Sequence, residues 1–250
     1  MSPTRLLPLV AACLVVSVTA RAQSWGEIGN SLLKGLGDSG TQQQGGSALG
    51  SDEVVAGLRE ALARGSEIVV AELGREDGFL ARPEVRIPLP GALESIGSGM
   101  RRFGLGGYVD TFETSLNRAA EQAVPEALEL LLETVRSMSI DDAMGILEGP
   151  DDAATRYFRQ RNEAQLEARF LPIVREATSQ VGVTEAYKGM LAQAGMAAQL
   201  FDPNSVDIDR YVTGEAIDGL FLLLAREEQR IREDPVARSS ELLRRVFGSR

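Results

Sequence analysis

From residue 51 onward, apolar side chains recur at intervals of three and four, the spacing that places them on one face of an α-helix. The densest run lies between Tyr108 and Arg161, where Phe112, Leu116, Ala119 and Ala123 share a face that Leu128, Leu131, Leu132, Val135 and Met138 continue beyond Pro125. Proline is tolerated in the first turn of a helix but not in its interior, so one helix ends or kinks at Pro125 and the next starts there. Upstream, Val54, Leu58, Ala61, Leu62, Val69 and Leu73 predict a first helix, capped by Ser51, opened by Asp52 and Glu53 and ended by Gly74. Val85-Arg86-Ile87-Pro88-Leu89-Pro90 alternates strictly, and its two prolines forbid helix, so residues 85–90 read as an extended segment pressing Val85, Ile87 and Leu89 on the core.

Further blocks follow the same logic. Leu93, Ile96, Met100 and Phe103 predict a helix stopped by Gly104-Leu105-Gly106-Gly107. Ser139 with Asp142 three residues on predicts a capping box, and Gly149-Pro150 stops the short helix it opens. The spacing predicts a helix from about Glu163 to Val181, bent at Pro172 and closed by Gly182. Thr184 then caps a short helix carrying Tyr187, Met190 and Leu191. Ala216, Ile217, Leu220, Phe221, Leu224 and Ile231 form a long helix interrupted at Asp234-Pro235, and Leu242, Leu243, Val246 and Phe247 a terminal one. Helices this numerous and unequal in length predict an all-α fold: a single multi-helix array of about eight helices with one short proline-containing extended segment.

The N-terminal residues have a different pattern. Arg5 precedes the apolar run LLPLVAACLVVSV, and Ala20 and Ala22 supply the small residues of a cleavage site, so residues 1–22 read as a secretory signal cut after Ala22. Export to the periplasm or beyond is the expectation, with a lipid anchor at Cys13 as the alternative because Val10-Ala11-Ala12-Cys13 resembles a lipoprotein box. Residues 23–50 are rich in glycine, serine and glutamine and read as a flexible linker to a helical domain over 51–250. Trp25, Ile28, Leu32, Leu33 and Leu36 share a helical face within it. The segment Trp25 to Leu36 and an acylated Cys13 are the only routes to a membrane that the sequence offers.

Composition narrows the chemistry. The chain has no histidine, which removes Ser-His and Cys-His catalysis and the commonest transition-metal ligand. Lys+Arg 26 against Asp+Glu 36 gives a net charge of −10, and the basic residues are arginine except Lys34 and Lys188. An acidic chain is a poor match to a polyanion, so nucleic acid is not expected as a partner. No cofactor is expected: the glycine-rich turn at 104–107 fails the dinucleotide pattern because position 109 is Val109. No metal is expected either, since Asp202 and Asn204 lack the glycine of a calcium loop, and the pairs Asp141/Asp142 and Asp151/Asp152 fall where helices begin.

One polar group stands out. Asn117, Arg118 and Glu121 occupy one helical turn, and Arg156 and Arg159 another, each beside residues that read as core. Arg118 and Arg156 are therefore expected to start near the interior and to share a polar site, with Glu121 as the nearest acidic partner. Such a site is either a structural network or a pocket for a small anionic ligand. The function expected is a non-enzymatic binding or interaction module, meeting a small anion or a protein. The alternative is a histidine-free hydrolase working with paired carboxylates.

GFLARPEVRIPLP, YVDTFETSLNRAAEQAVPEA, SIDDAMGILEGPDDAATRYFR, FLPIVREAT, VGVTEAY and YVTGEAIDGLFLLLAREEQRIREDPVAR together resemble the bacterial exported family called domain of unknown function 4197. The resemblance covers roughly Ser51 to Gly248. It implies one mostly helical domain behind a signal peptide and a low-complexity spacer, and it carries no activity with it.

Overall fold

The computed structural model describes residues 51–180, 182–194 and 207–233, and among them every regular element is helical. The expected signal, linker, Trp25 face and terminal helix, and the side chain of Ser51, lie outside the described residues. Helix α1 (Ser51–Leu73) sets Asp52 and Glu53 against the positive end of its dipole and buries Leu58, Ala61, Leu62, Val69, Val70 and Leu73. Its end comes at Gly74, whose amide bonds the Val70 carbonyl at 2.9 Å. Residues 75–90 form an irregular strap: Val85 sits in a turn and 86–90 have no strand beside them. The alternation still sorts the side chains, with Val85, Ile87 and Leu89 buried, and Phe79 upstream of it is buried completely.

Helix α2 (Gly91–Arg102) buries Leu93, Ile96 and Met100 as the spacing predicts. Phe103 departs from that expectation and is 85% exposed. The helix stops at Arg102, and Gly104, at φ +78°, turns the chain before the stripe can be completed. Helix α3 (Gly106–Ala123) is central, with Phe112, Leu116, Ala119, Ala120 and Ala123 wholly buried. Its alanines let neighbouring helices approach closely.

Pro125 lies in a 3-10 turn, Val124–Glu126, between α3 and helix α4 (Ala127–Ser137). In α4 the buried face is Ala127, Leu130, Leu131, Thr134 and Val135, while Leu128 is only partly buried, because the turn rotates the stripe after Pro125. Helix α5 (Ile140–Glu148) opens with the predicted capping box: the Asp142 amide donates to the Ser139 hydroxyl at 3.0 Å and the Ser139 amide to the Asp142 carboxylate at 3.1 Å.

Helix α6 (Ala153–Gln180) starts ten residues before the sequence places it. Its buried stripe runs Phe158, Asn162, Leu166, Phe170 and Val174, and a polar residue at Asn162 breaks the apolar period that would have revealed it. Asn162 is satisfied there, accepting from the Thr134 hydroxyl at 2.7 Å and donating to the Phe158 carbonyl at 2.9 Å. Gly182, at φ +75°, separates α6 from helix α7 (Val183–Ala194). Helix α8 (Ile208–Glu233) also begins early, because the Asp207 carboxylate accepts the Arg210 amide at 3.0 Å and caps it; the expected interruption at Asp234-Pro235 lies outside the described residues. Helix α3 packs on α2, α6, α7 and α8; α6 and α8 lie against each other, and α1 crosses α4, α5 and α8.

Candidate functional site

Glu113, Asn117 and Glu121 stand four residues apart on α3, one above another, and all three are buried. They face the strap. Asn117 treats Ile87 as a strand neighbour would, its side-chain oxygen accepting the Ile87 amide at 2.9 Å and its amide nitrogen donating to the Ile87 carbonyl at 2.9 Å. The same nitrogen donates to the Glu113 carbonyl at 2.7 Å. A backbone that proline keeps out of any sheet thus has its buried polar groups paired by one amide side chain.

At one end of the row, Glu121 accepts the amides of Phe79 at 3.1 Å and Leu80 at 3.3 Å through one oxygen, and the Arg118 guanidinium at 2.6 Å through the other. Arg118 also reaches Asp77 at 2.8 Å and Glu76 at 3.3 Å. Partial burial works to lower the Arg118 pKa, but the hydrogen bonds to Glu121 and Asp77 outweigh it and raise the value. Asp77 holds the left-handed conformation at φ 64°, so the guanidinium bonds to the one strained residue of the strap.

At the other end, Glu113 takes Arg86 at 3.1 Å on one oxygen and Arg101 at 2.9 Å on the other. The hydrogen bond to Glu113 raises the Arg101 pKa, and Asp110 at 3.4 Å adds to it. Tyr211, on α8, donates its phenol to the Pro88 carbonyl at 3.1 Å and closes the strap from the far side. Burial, then the charges of Glu215, Glu113 and Glu94, push its pKa far above the ordinary value.

A second buried carboxylate does for α6 what Glu121 does for the strap. Glu228, on α8, accepts the amides of Ala154 and Thr155, both at 2.9 Å, and the Thr155 hydroxyl at 2.8 Å, capping α6 from outside its own chain segment. Arg232 neutralises it at 2.9 Å and donates to the Ile146 carbonyl at 2.9 Å. A crevice lined by Leu58, Leu62, Ile146 and Ile231 lies beside this pair, with room for about one water, roughly 10 Å³.

Of the residues the sequence singles out, Asn117, Arg118 and Glu121 belong to the α3 row. Arg156 does not lie toward the interior: its side chain is 70% exposed and pairs with Asp152 at 2.8 Å, one turn back. Arg159 pairs with Asp218 and with Glu163 at 3.3 Å and stacks over Phe221 at 4.9 Å. No contact among the described residues joins either to Arg118. Glu113, Arg86, Arg101, Tyr211, Glu228 and Arg232 escaped the sequence. Glu228 carried a signal, since it lies on the buried face between Leu224 and Ile231.

Among the described residues no three of His, Cys, Asp and Glu gather as metal ligands, and no helix is long and apolar enough to cross a membrane. The fold and the row on α3 define an all-helical domain whose buried charges clamp its own irregular segment. The chain belongs to a family described as protein of unknown function, DUF4197, whose model matches residues 48–248. No curated protein and no solved structure matches it.

Proposed function

We infer that the protein is an exported, non-enzymatic interaction module. The observation that carries this reading is the way its buried carboxylates are used. Glu113, Glu121 and Glu228 each have both oxygens committed to amide, hydroxyl or guanidinium donors that hold the fold together. A hydrolytic carboxylate keeps an oxygen for substrate or water. Export rests on the leader-like pattern of residues 1–22. The partner is a small anion or a protein, met by cationic surface such as Arg86 and Arg101, which remain partly exposed beside Glu113.

One observation favours the hydrolase alternative. Glu215 has its pKa raised, first by burial and then by the charge of Asp218 one turn away on α8, the kind of separation that gives one carboxyl acid character beside an ionised one. Asp218, however, is taken by Arg159. The test is incubation of the chain lacking residues 1–22 with a panel of glycosides and esters. The expected result is no turnover, and turnover lost in Glu215→Gln would replace the interaction reading with the hydrolase.

A further inference from the structure

Nearly every arginine in this domain is given a carboxylate. Among the described residues only Arg59, Arg75, Arg102 and Arg136 form no ion pair, and Arg75, Arg102 and Arg136 are exposed to water. Arg59, on α1, is half-buried. One end of its guanidinium, Nη2, donates to the Met138 carbonyl in the turn between α4 and α5. Its Nε is buried and has no hydrogen-bond partner, while Nη1, also without a partner, stays open to solvent. Arg159 also has a buried Nε without a hydrogen bond, but Glu163 lies 3.3 Å from it as a counter-ion. Arg59 is therefore a permanent charge drawn partly out of water with nothing opposite it, an arrangement that costs stability until an anion arrives.

A second guanidinium lies nearby with its donors uncommitted. Arg161, on α6, stacks over the Tyr157 ring at 5.0 Å from the centroid. Its carboxylate neighbour, Asp142, is 3.6 Å away, beyond hydrogen-bonding distance. Asp142 is occupied elsewhere: one oxygen accepts the Ser139 amide at 3.1 Å, the Ser139 hydroxyl at 2.8 Å and the Tyr157 phenol at 3.2 Å. These bonds, those from Ser139 first, hold its pKa below the ordinary value, so it stays ionised. Burial, then the charge of Asp142, raise the Tyr157 pKa, and the charges of Arg161 and Arg59 oppose them, so both guanidiniums act on one phenol. Two arginines against this one carboxylate leave a single positive charge in excess.

We propose that the surface between α1, the α4–α5 turn and α6 binds a carboxylate, one oxygen on Nη1 of Arg59 and the other on Arg161. A carboxylate balances the excess charge and presents two oxygens to two separate donors, whereas a phosphate dianion overshoots it. Arg161 is held by stacking on Tyr157, so it can turn to a ligand without breaking a hydrogen bond among the described residues. The source of the carboxylate is a small organic acid or the free C-terminus of a peptide, which offer the same group. The proposal rests on the interaction-module reading and gives its anion a site apart from Arg86 and Arg101, whose counter-ion Glu113 is already in place.

The test follows melting of the chain lacking residues 1–22 with acetate, lactate and benzoate, with inorganic phosphate, and with one short uncharged peptide as free acid and as C-terminal amide. A saturable rise in the midpoint is expected with a carboxylate. Response to the small acids names them as the source, and response to the peptide acid but not its amide names the chain end. Affinity should fall about tenfold in Arg59→Gln and in Arg161→Gln, as loss of one charge-assisted hydrogen bond predicts, and stay unchanged in Arg102→Gln. Arg161 is exposed, so its variant keeps the test open if Arg59→Gln fails to fold. In a second measurement, the side-chain N–H resonance of Arg59 should move along the titration while that of Arg102 stays still. No saturable response to any carboxylate, equal affinity in Arg161→Gln and the parent, an equal loss in Arg102→Gln, or an unmoved Arg59 resonance overturns the proposal. Phosphate binding more tightly than every carboxylate overturns the choice of ligand. Each of these failures comes without turnover of glycosides or esters and leaves the interaction reading with a protein partner, whereas turnover removes that reading whatever the anions do.

Discussion

Glu121 is a buried acceptor with three donors on two oxygens, and replacing it with glutamine leaves one oxygen for them all and turns an amide NH2 toward a neighbouring donor. Glu121→Gln is expected to lower stability by about 2 kcal/mol, the scale of hydrogen bonds to a charged group, seen as a lower urea midpoint. Arg156→Ala, at an exposed pair one turn long, should change it by less than about 0.5 kcal/mol. Equal melts for both variants would reduce Glu121 to surface charge. Glu215 makes a pH-dependent prediction. Its raised pKa means the folded state holds the proton more tightly than the unfolded one, a contribution present below the ordinary value of 4.5 and lost as pH rises through the folded value. Glu215→Gln, which resembles the protonated form, should therefore melt higher than the parent at pH 7 and level with it near pH 4, and a variant that melts lower at pH 7 would reverse the sign. What the sequence could reveal at this scale was local. The turn of Asn117, Arg118 and Glu121 and the Ser139–Asp142 box were legible because their partners are near in sequence, whereas Glu113 with Arg86 and Glu228 with Thr155 meet only after the chain has folded back.

Elements were legible wherever an apolar stripe ran unbroken, as in α1 and α3, and were truncated wherever a buried polar residue interrupted it, as at Asn162 in α6. The strap is the extreme case: alternation identified Val85, Ile87 and Leu89, but Phe79 belongs to no period and its role depends on α8. Gly219 of α8 explains how the two fit. A methyl group there would lie 2.8 Å from the Phe79 ring and 3.3 Å from Val85, closer than carbon atoms pack, so only glycine lets the strap lie flat on the helix. Gly219→Ala is expected to cost about 1–3 kcal/mol through overpacking, despite alanine's better helix propensity. Adding Phe79→Leu removes the ring and should recover part of that loss. A double variant that unfolds as the sum of its singles would show that the ring and the glycine are independent.

Among the described residues one apolar core runs from Val55 to Ile231. Several charges in and beside it are matched by others among the described residues: Arg118 has Glu121, Arg101 has Glu113 and Glu228 has Arg232. Residues 23–50, by contrast, are mostly glycine, serine and glutamine, a composition with few apolar side chains to set against the entropy of ordering. The family match begins at residue 48, three residues before Ser51. A chain cut to Ser51–Arg250 is therefore expected to unfold at the same temperature, and over the same denaturant range, as one that keeps residues 23–50. For a domain of this size each kcal/mol moves the midpoint by about 2–4 °C, so even partial docking of the Trp25 face would be visible. A midpoint lowered by many degrees on truncation would make that face part of the core, and the domain would then begin well before Ser51.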